Sequence, residues 1–224
     1  MKNSTNNTTE KLNNKERKMA RLPPDSFSQM IAFIAVAFGV IALILACVGI
    51  GTPRWYSAFV STGTGTYAKT NSATFFYTCD VSTSGVTNNC TNRDSSLYGY
   101  PGYSSSNAWM TDYNQRMQNA GSLCIVGILF LTFGIVATSI MALRYFSAWA
   151  TSIPPALFFL ACLFMLAGMA EGARYLLYND YSANLYQTAH LLTMFALALT
   201  AFAAGRVHFS RRTEAGHNTP HNVA

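Results

Sequence analysis

The chain is short of charge. Of its 224 residues, 11% are Asp, Glu, Lys or Arg, while half are apolar. Soluble domains carry about 25% charged residues, so a conventional water-facing surface is excluded, and the apolar content excludes a disordered chain. Cysteine is also scarce. Five are too few for a disulfide scaffold, and no two stand two residues apart as in common metal or redox pairs. Catalytic motifs are missing: there is no Gly-rich phosphate loop, no G-x-S-x-G elbow and no H-E-x-x-H. Three of the four histidines, His208, His217 and His221, lie beyond residue 207, and Pro220 beside the last argues against a fixed metal site. No catalytic residue, metal or cofactor is expected, and the chain reads as a non-enzyme.

Long apolar runs are what the chain has instead. Ile31 to Ile50 is uninterrupted by charge, and about 20 such residues span the hydrocarbon core as a helix. Further spans are read at about 120–143, 154–172 and 188–205, with Pro154-Pro155 suited to a helix start. The first run is longer than a signal-peptide core and 30 residues precede it, so it is read as uncleaved. Four crossings put both termini on one side.

Charge placement says which side. Lys2, Lys11, Lys15, Arg17, Lys18, Arg21, Arg144, Arg206, Arg211 and Arg212 lie in the tails and the short connection, ten of the 15 basic residues. Basic residues stay cytoplasmic, so both termini are expected there, at the plasma membrane. The net charge of +6 then reports topology, and no nucleic-acid partner is expected. The tails, residues 1–29 and 207–224, read as disordered, and the basic N-terminal one can also lean on anionic lipid.

Within the bilayer, helices associate through small residues. Gly168 and Gly172 form a GxxxG pair, Gly127 and Gly134 share a face of the second span, and Ala32, Ala35 and Gly39 mark the first. Glu171 and Arg174, three apart, read as an interfacial ion pair, and His190 as a packing residue near a helix entrance.

The segment from 53 to 119 carries the most information. Trp55–Ser61, a run from Tyr67, and Thr74–Cys79 read as strands, separated by the Gly63-Thr64-Gly65 turn and the turn-rich stretch 82–89. Cys79 and Cys90 are the only cysteines outside the spans, both on the oxidising side, so a disulfide is expected, worth about 3 kcal/mol for a ring of this size. Asn89-Cys90-Thr91 is a glycosylation sequon with a bonded cysteine at its centre, and the sequons at Asn3, Asn6 and Asn7 fall in the cytoplasmic tail.

Four spans, a large first and a small second extracellular loop, and a C-x10-C pair resemble the superfamily of claudins, peripheral myelin proteins and channel gamma subunits. The likeness covers roughly residues 30 to 206. Pro53 and Trp55, in Gly51-Thr52-Pro53-Arg54-Trp55, look like the family's Pro-x-Trp; Cys79 and Cys90 match its cysteines, and Arg116 matches a basic residue before the second helix. There are departures. Thr74-Phe75-Phe76 replaces Gly-Leu-Trp, with Phe76 keeping the bulk, and residues 91–118, with Tyr98, Tyr100, Tyr103, Trp109 and Tyr113, are longer than usual. The ending His221-Asn222-Val223-Ala224 is not a PDZ-binding C-terminus, and no paired cytoplasmic cysteines follow the second and fourth helices.

The resemblance implies a membrane all-α bundle of four helices, left-handed, capped by an extracellular antiparallel β-sheet formed by both extracellular loops. Most strands would come from residues 53–119, and one from residues 175–187. It implies a structural and adhesive role at cell–cell contacts, with self-association in one membrane or between cells, and a barrier or ion path lined by Asp80 or Lys69. The first loop holds four basic and three acidic residues, so no strong charge filter is read. The alternative is an auxiliary subunit modulating an ion channel or receptor, favoured by the missing Gly-Leu-Trp and the longer aromatic stretch. A transporter or membrane enzyme has no charged interior behind it.

Overall fold

The computed structural model describes residues 26–61, 67–82, 87–92, 108–143, 148–174 and 178–217. Four helices are long and apolar enough to cross a membrane, which makes this a multi-pass membrane protein. They are α1 (Ser26–Gly51), α2 (Ala108–Ala142), α3 (Ile153–Gly172) and α4 (Tyr181–His217). A 3-10 turn at Ala148–Ser152 leads into α3, whose first positions carry Pro154 and Pro155.

Each helix buries a stripe whose spacing alternates between three and four. On α1 it is Ala32, Ala35, Gly39, Ala42, Ala46 and Gly49. On α4 it is Ser182, Tyr186, Ala189, Thr193, Ala196, Thr200 and Ala203. Met117, Ala120, Cys124, Gly127, Leu131, Gly134, Thr138 and Met141 continue the pattern on α2, and Pro154, Phe158, Ala161, Met165, Gly168 and Gly172 on α3. An average period of 3.5 is the seam that a left-handed supercoil keeps facing its neighbours. Small side chains on that seam let backbones approach. A methyl group on Gly168 would stand 2.8 Å from the Ala120 carbonyl oxygen, and one on Gly127 2.9 Å from the Met165 nitrogen. Hydroxyls on the stripe turn inward on their own helix: Thr138 donates to Gly134 O at 2.7 Å and Thr193 to Ala189 O at 2.8 Å. This satisfies them where water is absent.

Two helices run well beyond the spans read from hydropathy. α2 begins at Ala108, and Asn114 and Met117 extend its buried stripe past the apolar run. α4 begins at Tyr181, behind Asp180, whose carboxylate accepts the Tyr181 N–H at 2.8 Å. It continues as helix to His217, so the start of the supposed C-terminal tail is ordered; no proline interrupts the chain between these limits. At 37 residues α4 is about 55 Å long, well beyond the roughly 30 Å of a bilayer core. Residues 1–25 and 218–224, the Gly63–Gly65 turn, Arg144, and Tyr98, Tyr100 and Tyr103 lie outside the described residues.

The strands β1 (Tyr56–Ser61), β2 (Tyr67–Ala73), β3 (Tyr77–Val81) and β4 (Thr87–Asn92) form one antiparallel sheet in sequential order. All four come from the segment between α1 and α2. The strand expected from residues 175–187 is not found among the described residues, because Tyr181–Gln187 are already helix. Its place against β1 is taken by one side chain. The Asn179 amide accepts the Ser57 N–H at 2.9 Å and donates to Ser57 O at 2.9 Å, copying a strand's pairing. Thr74-Phe75-Phe76 forms a turn rather than part of β3: Thr74 Oγ1 accepts the N–H groups of Phe76 and Tyr77 at 3.0 and 3.1 Å.

Candidate functional site

The chemistry-bearing residues gather where the sheet meets the bundle. Trp55 lies fully buried between them. Pro53 sets it just past the end of α1, and the Pro53 carbonyl accepts the Ser72 hydroxyl of β2. The indole N–H donates to Gly49 O at 2.7 Å, capping one of the carbonyls that the last turn of a helix leaves unpaired. Around the indole stand Phe75, Tyr178 and Tyr186, with ring centroids at 4.4, 5.4 and 5.4 Å. The phenols also donate to helix carbonyls: Tyr178 to Met169 O at 2.6 Å, near the end of α3, where the Ala173 N–H donates as well, and Tyr186 to Cys124 O at 3.1 Å, in the middle of α2. Burial raises the Tyr178 phenol above its ordinary value, reinforced by nearby Cys124, so it stays a donor.

Glycines make room for these rings. Phe76 lies against Gly121, where an added methyl would come within 2.5 Å of the ring. Gly172 faces Phe75 and Tyr178, with 2.5 Å from an added methyl to the phenol oxygen. The GxxxG pair therefore serves two contacts: Gly168 admits α2, and Gly172 admits the aromatic cluster of the sheet.

Two ionic ties flank the aromatics. Arg116, on α2, reaches Glu171 near the end of α3 at 3.2 Å, and Arg174 approaches the other oxygen of Glu171 at 3.8 Å. Glu171 thus bridges two helices, where the sequence suggested a pair within one turn. On the other flank Asp180 pairs with Lys69 at 2.7 Å and accepts the Ser57 hydroxyl. Burial works to raise the Asp180 carboxyl, but hydrogen bonds from Lys69, Ser57 and the Tyr181 backbone, together with the Lys69 charge, bring it below its ordinary value. Ser182 N–H donates to Arg54 O at 3.1 Å, and the Thr52 and Ser182 hydroxyls lie 2.7 Å apart. The start of α4 is stapled to the end of α1 and to the first two strands.

The remaining sequence candidates lie apart from this cluster. Cys79 and Cys90 are bonded, directly opposite each other on β3 and β4. Asn89 falls at a register shift, between the Cys79↔Cys90 and Asp80↔Asn88 pairs. Asp80 is exposed on β3, whereas Lys69 is held by Asp180. His190 sits well inside α4 and is half-buried. The sequence reading missed Asn179, Asp180 and the ring partners Tyr178 and Tyr186. Asn179-Asp180 before an apolar run was the signal available for a helix start. Nothing local announced that both side chains would also grip β1 and β2. Compared with protein-family models and with curated proteins, the chain matches none.

Proposed function

We propose that this chain is a claudin-like four-span protein of the plasma membrane that builds contacts between cells through its sheet. Both termini lie in the cytoplasm and the sheet stands on the outer face. One observation carries the reading: a disulfide-braced sheet is fixed to the ends of the helices by buried aromatics and ion pairs. A platform held so firmly suits presenting a surface. A flexible loop would lose affinity through the entropy of being ordered on contact. On this reading Pro53, Trp55, Phe76 and Arg116 hold the platform in place, and contact falls to residues on its outside. Where the contact also forms an ion path, Asp80 is the exposed charge that lines it, and Lys69 is occupied by Asp180.

The test is to express the tagged protein in cells without junction strands. Enrichment is expected at contacts between two expressing cells and not at contacts with non-expressing neighbours. A uniform distribution overturns the adhesive role and turns the search to the alternative, an auxiliary subunit that co-purifies with one channel. For the ion path, Asp80→Lys is expected to lower cation preference across a cell layer, and unchanged selectivity removes Asp80 from it.

A further inference from the structure

Two register shifts of the sheet stand on either side of one exposed carboxylate. Between β1 and β2 the pairing steps from Ala58↔Asn71 to Phe59↔Lys69, which leaves Thr70 as an extra residue on β2. Between β3 and β4 it steps from Cys79↔Cys90 to Asp80↔Asn88, which leaves Asn89 as the extra residue on β4. Asn71 and Asp80 face each other across β2 and β3, between these two bulges. A β-bulge bends its strand and re-aims neighbouring side chains, and bulges gather beside functional sites. The Asn71 amide donates to Thr70 O at 3.0 Å and to Asp80 Oδ1 at 2.9 Å. One bond closes over the bulge, and the other holds the carboxylate. Thr70 in turn donates its hydroxyl to Ala58 O, and the Cys79–Cys90 bond braces the backbone next to Asp80. Asp80 is exposed, yet its carboxylate is tethered. Water would satisfy an exposed carboxylate almost as well, so the tether adds direction more than stability.

We infer that Asn71 is a positioning residue for ion passage: it occupies Oδ1 of Asp80 and leaves Oδ2 to the ion, so that monovalent cations pass and calcium is not trapped. This rests on the reading above, since it needs an ion path that Asp80 lines. Coordination decides between the ions. Calcium takes a carboxylate through one oxygen or through both, and the two-oxygen mode needs Oδ1. The Asn71 N–H groups are the positive end of an amide dipole, so a cation seated between both oxygens also meets a repelling neighbour. A monovalent cation that keeps most of its water needs only the charge, which the tether leaves in place. Passage requires a site that attracts an ion and then releases it. A one-oxygen contact meets both conditions for sodium or potassium. A two-oxygen grip on calcium would fail the second and block the path.

The experiment expresses the full-length protein in epithelial cell layers and measures sodium permeability across the layer as calcium is raised. Asn71→Leu keeps the volume and removes the donors. It is expected to lower the calcium concentration that halves sodium permeability by about threefold, the scale of one lost hydrogen bond. Asn71→Ala is expected to shift it in the same direction. Surface delivery and intact Cys79–Cys90 bonding serve as folding controls for both. Neither shift is expected once Asp80 is replaced by Asn, because Asn71 acts through that carboxylate and the paired changes do not add. Unchanged calcium sensitivity in both Asn71 variants overturns the inference, and so does a shift that persists beside Asp80→Asn. Asp80→Lys, measured in the same layers, separates this failure from that of the ion path. If Asp80→Lys lowers cation preference while the Asn71 variants behave as wild type, the path stands and only the role of Asn71 falls. If Asp80→Lys changes nothing, the path falls and takes this role with it.

Discussion

The bundle and the sheet junction are packed in opposite ways. Inside the bundle the seam is mostly Ala, Gly, Thr and Ser, and the bulk faces outward: Phe133 is 59% exposed and Phe195 61%. At the junction the largest side chains, Trp55, Phe75 and Tyr186, are fully buried, while the exposed positions of β3 and β4 include Asp80, Cys90, Thr91 and Asn92. The difference follows from the solvent. Lipid is as apolar as phenylalanine, so helices gain nothing by hiding it, and they associate through close backbone contact. Water rewards burial of each ring, at about 25 cal/mol per Å². The chain changes rules within a few residues, and the aromatics at the boundary meet both demands by donating their N–H or O–H to helix carbonyls.

The largest effect should come from breaking the water-facing rule. Trp55→Ala removes a buried ring and leaves the Gly49 carbonyl without its donor; a loss of about 3–5 kcal/mol is expected. Phe195→Ala, a deletion of similar chemistry on an outward helix face, should change stability by under ~0.5 kcal/mol. Both are measured by denaturant or SDS titration of helicity in micelles. Equal losses would sink the contrast between the two packings.

A smaller effect separates the anchored strands from β4, whose described contacts run through β3 and the disulfide. Replacing both Cys79 and Cys90 by Ser should cost about 3 kcal/mol by the loop-entropy account. Amide exchange should rise in Thr87–Asn92 while Trp55 and its neighbours stay protected. Uniform deprotection of the whole sheet would mean that the disulfide also supports the junction.

The smallest effect sharpens the electrostatic side. The Asp180 carboxyl is lowered from an ordinary value of 3.8. A folded-state value below the unfolded one means that its contribution is present above about pH 3.8 and disappears as pH falls through the folded value. For a partly exposed pair this is about 1 kcal/mol or less. Asp180→Asn should therefore lower the melting temperature at pH 6 and lower it by less at acid pH below 3.8. A variant that is equally destabilised at both would place the role of Asp180 in capping α4 rather than in the tie to Lys69.

Much of this was legible in the residues. Four apolar runs, too long and too poor in charge for a soluble core, dictated four crossing helices, because buried backbone in lipid must bond within its own segment. The small-residue positions on α2 and α3 were legible as packing surfaces, and so was the pairing of the only two cysteines outside the spans. Hydropathy could not locate the helix ends. α2 and α4 begin where side chains are still polar, and the buried residues Asn114, Met117, Ser182 and Tyr186, read against neighbouring elements, show that these turns pack. The fifth strand, not found among the described residues, belongs to the same class: whether residues near 179 form a strand or lend one amide to Ser57 depends on how closely α4 approaches β1. Glu171 was assigned a neighbour along its own helix, and its closer partner, Arg116, is 55 residues away. Patterns along the chain determined what each segment must bury and from which solvent. Tertiary structure alone decided which distant groups meet, since hydrogen bonds, ion pairs and ring contacts depend on distances of a few ångströms that no local periodicity encodes.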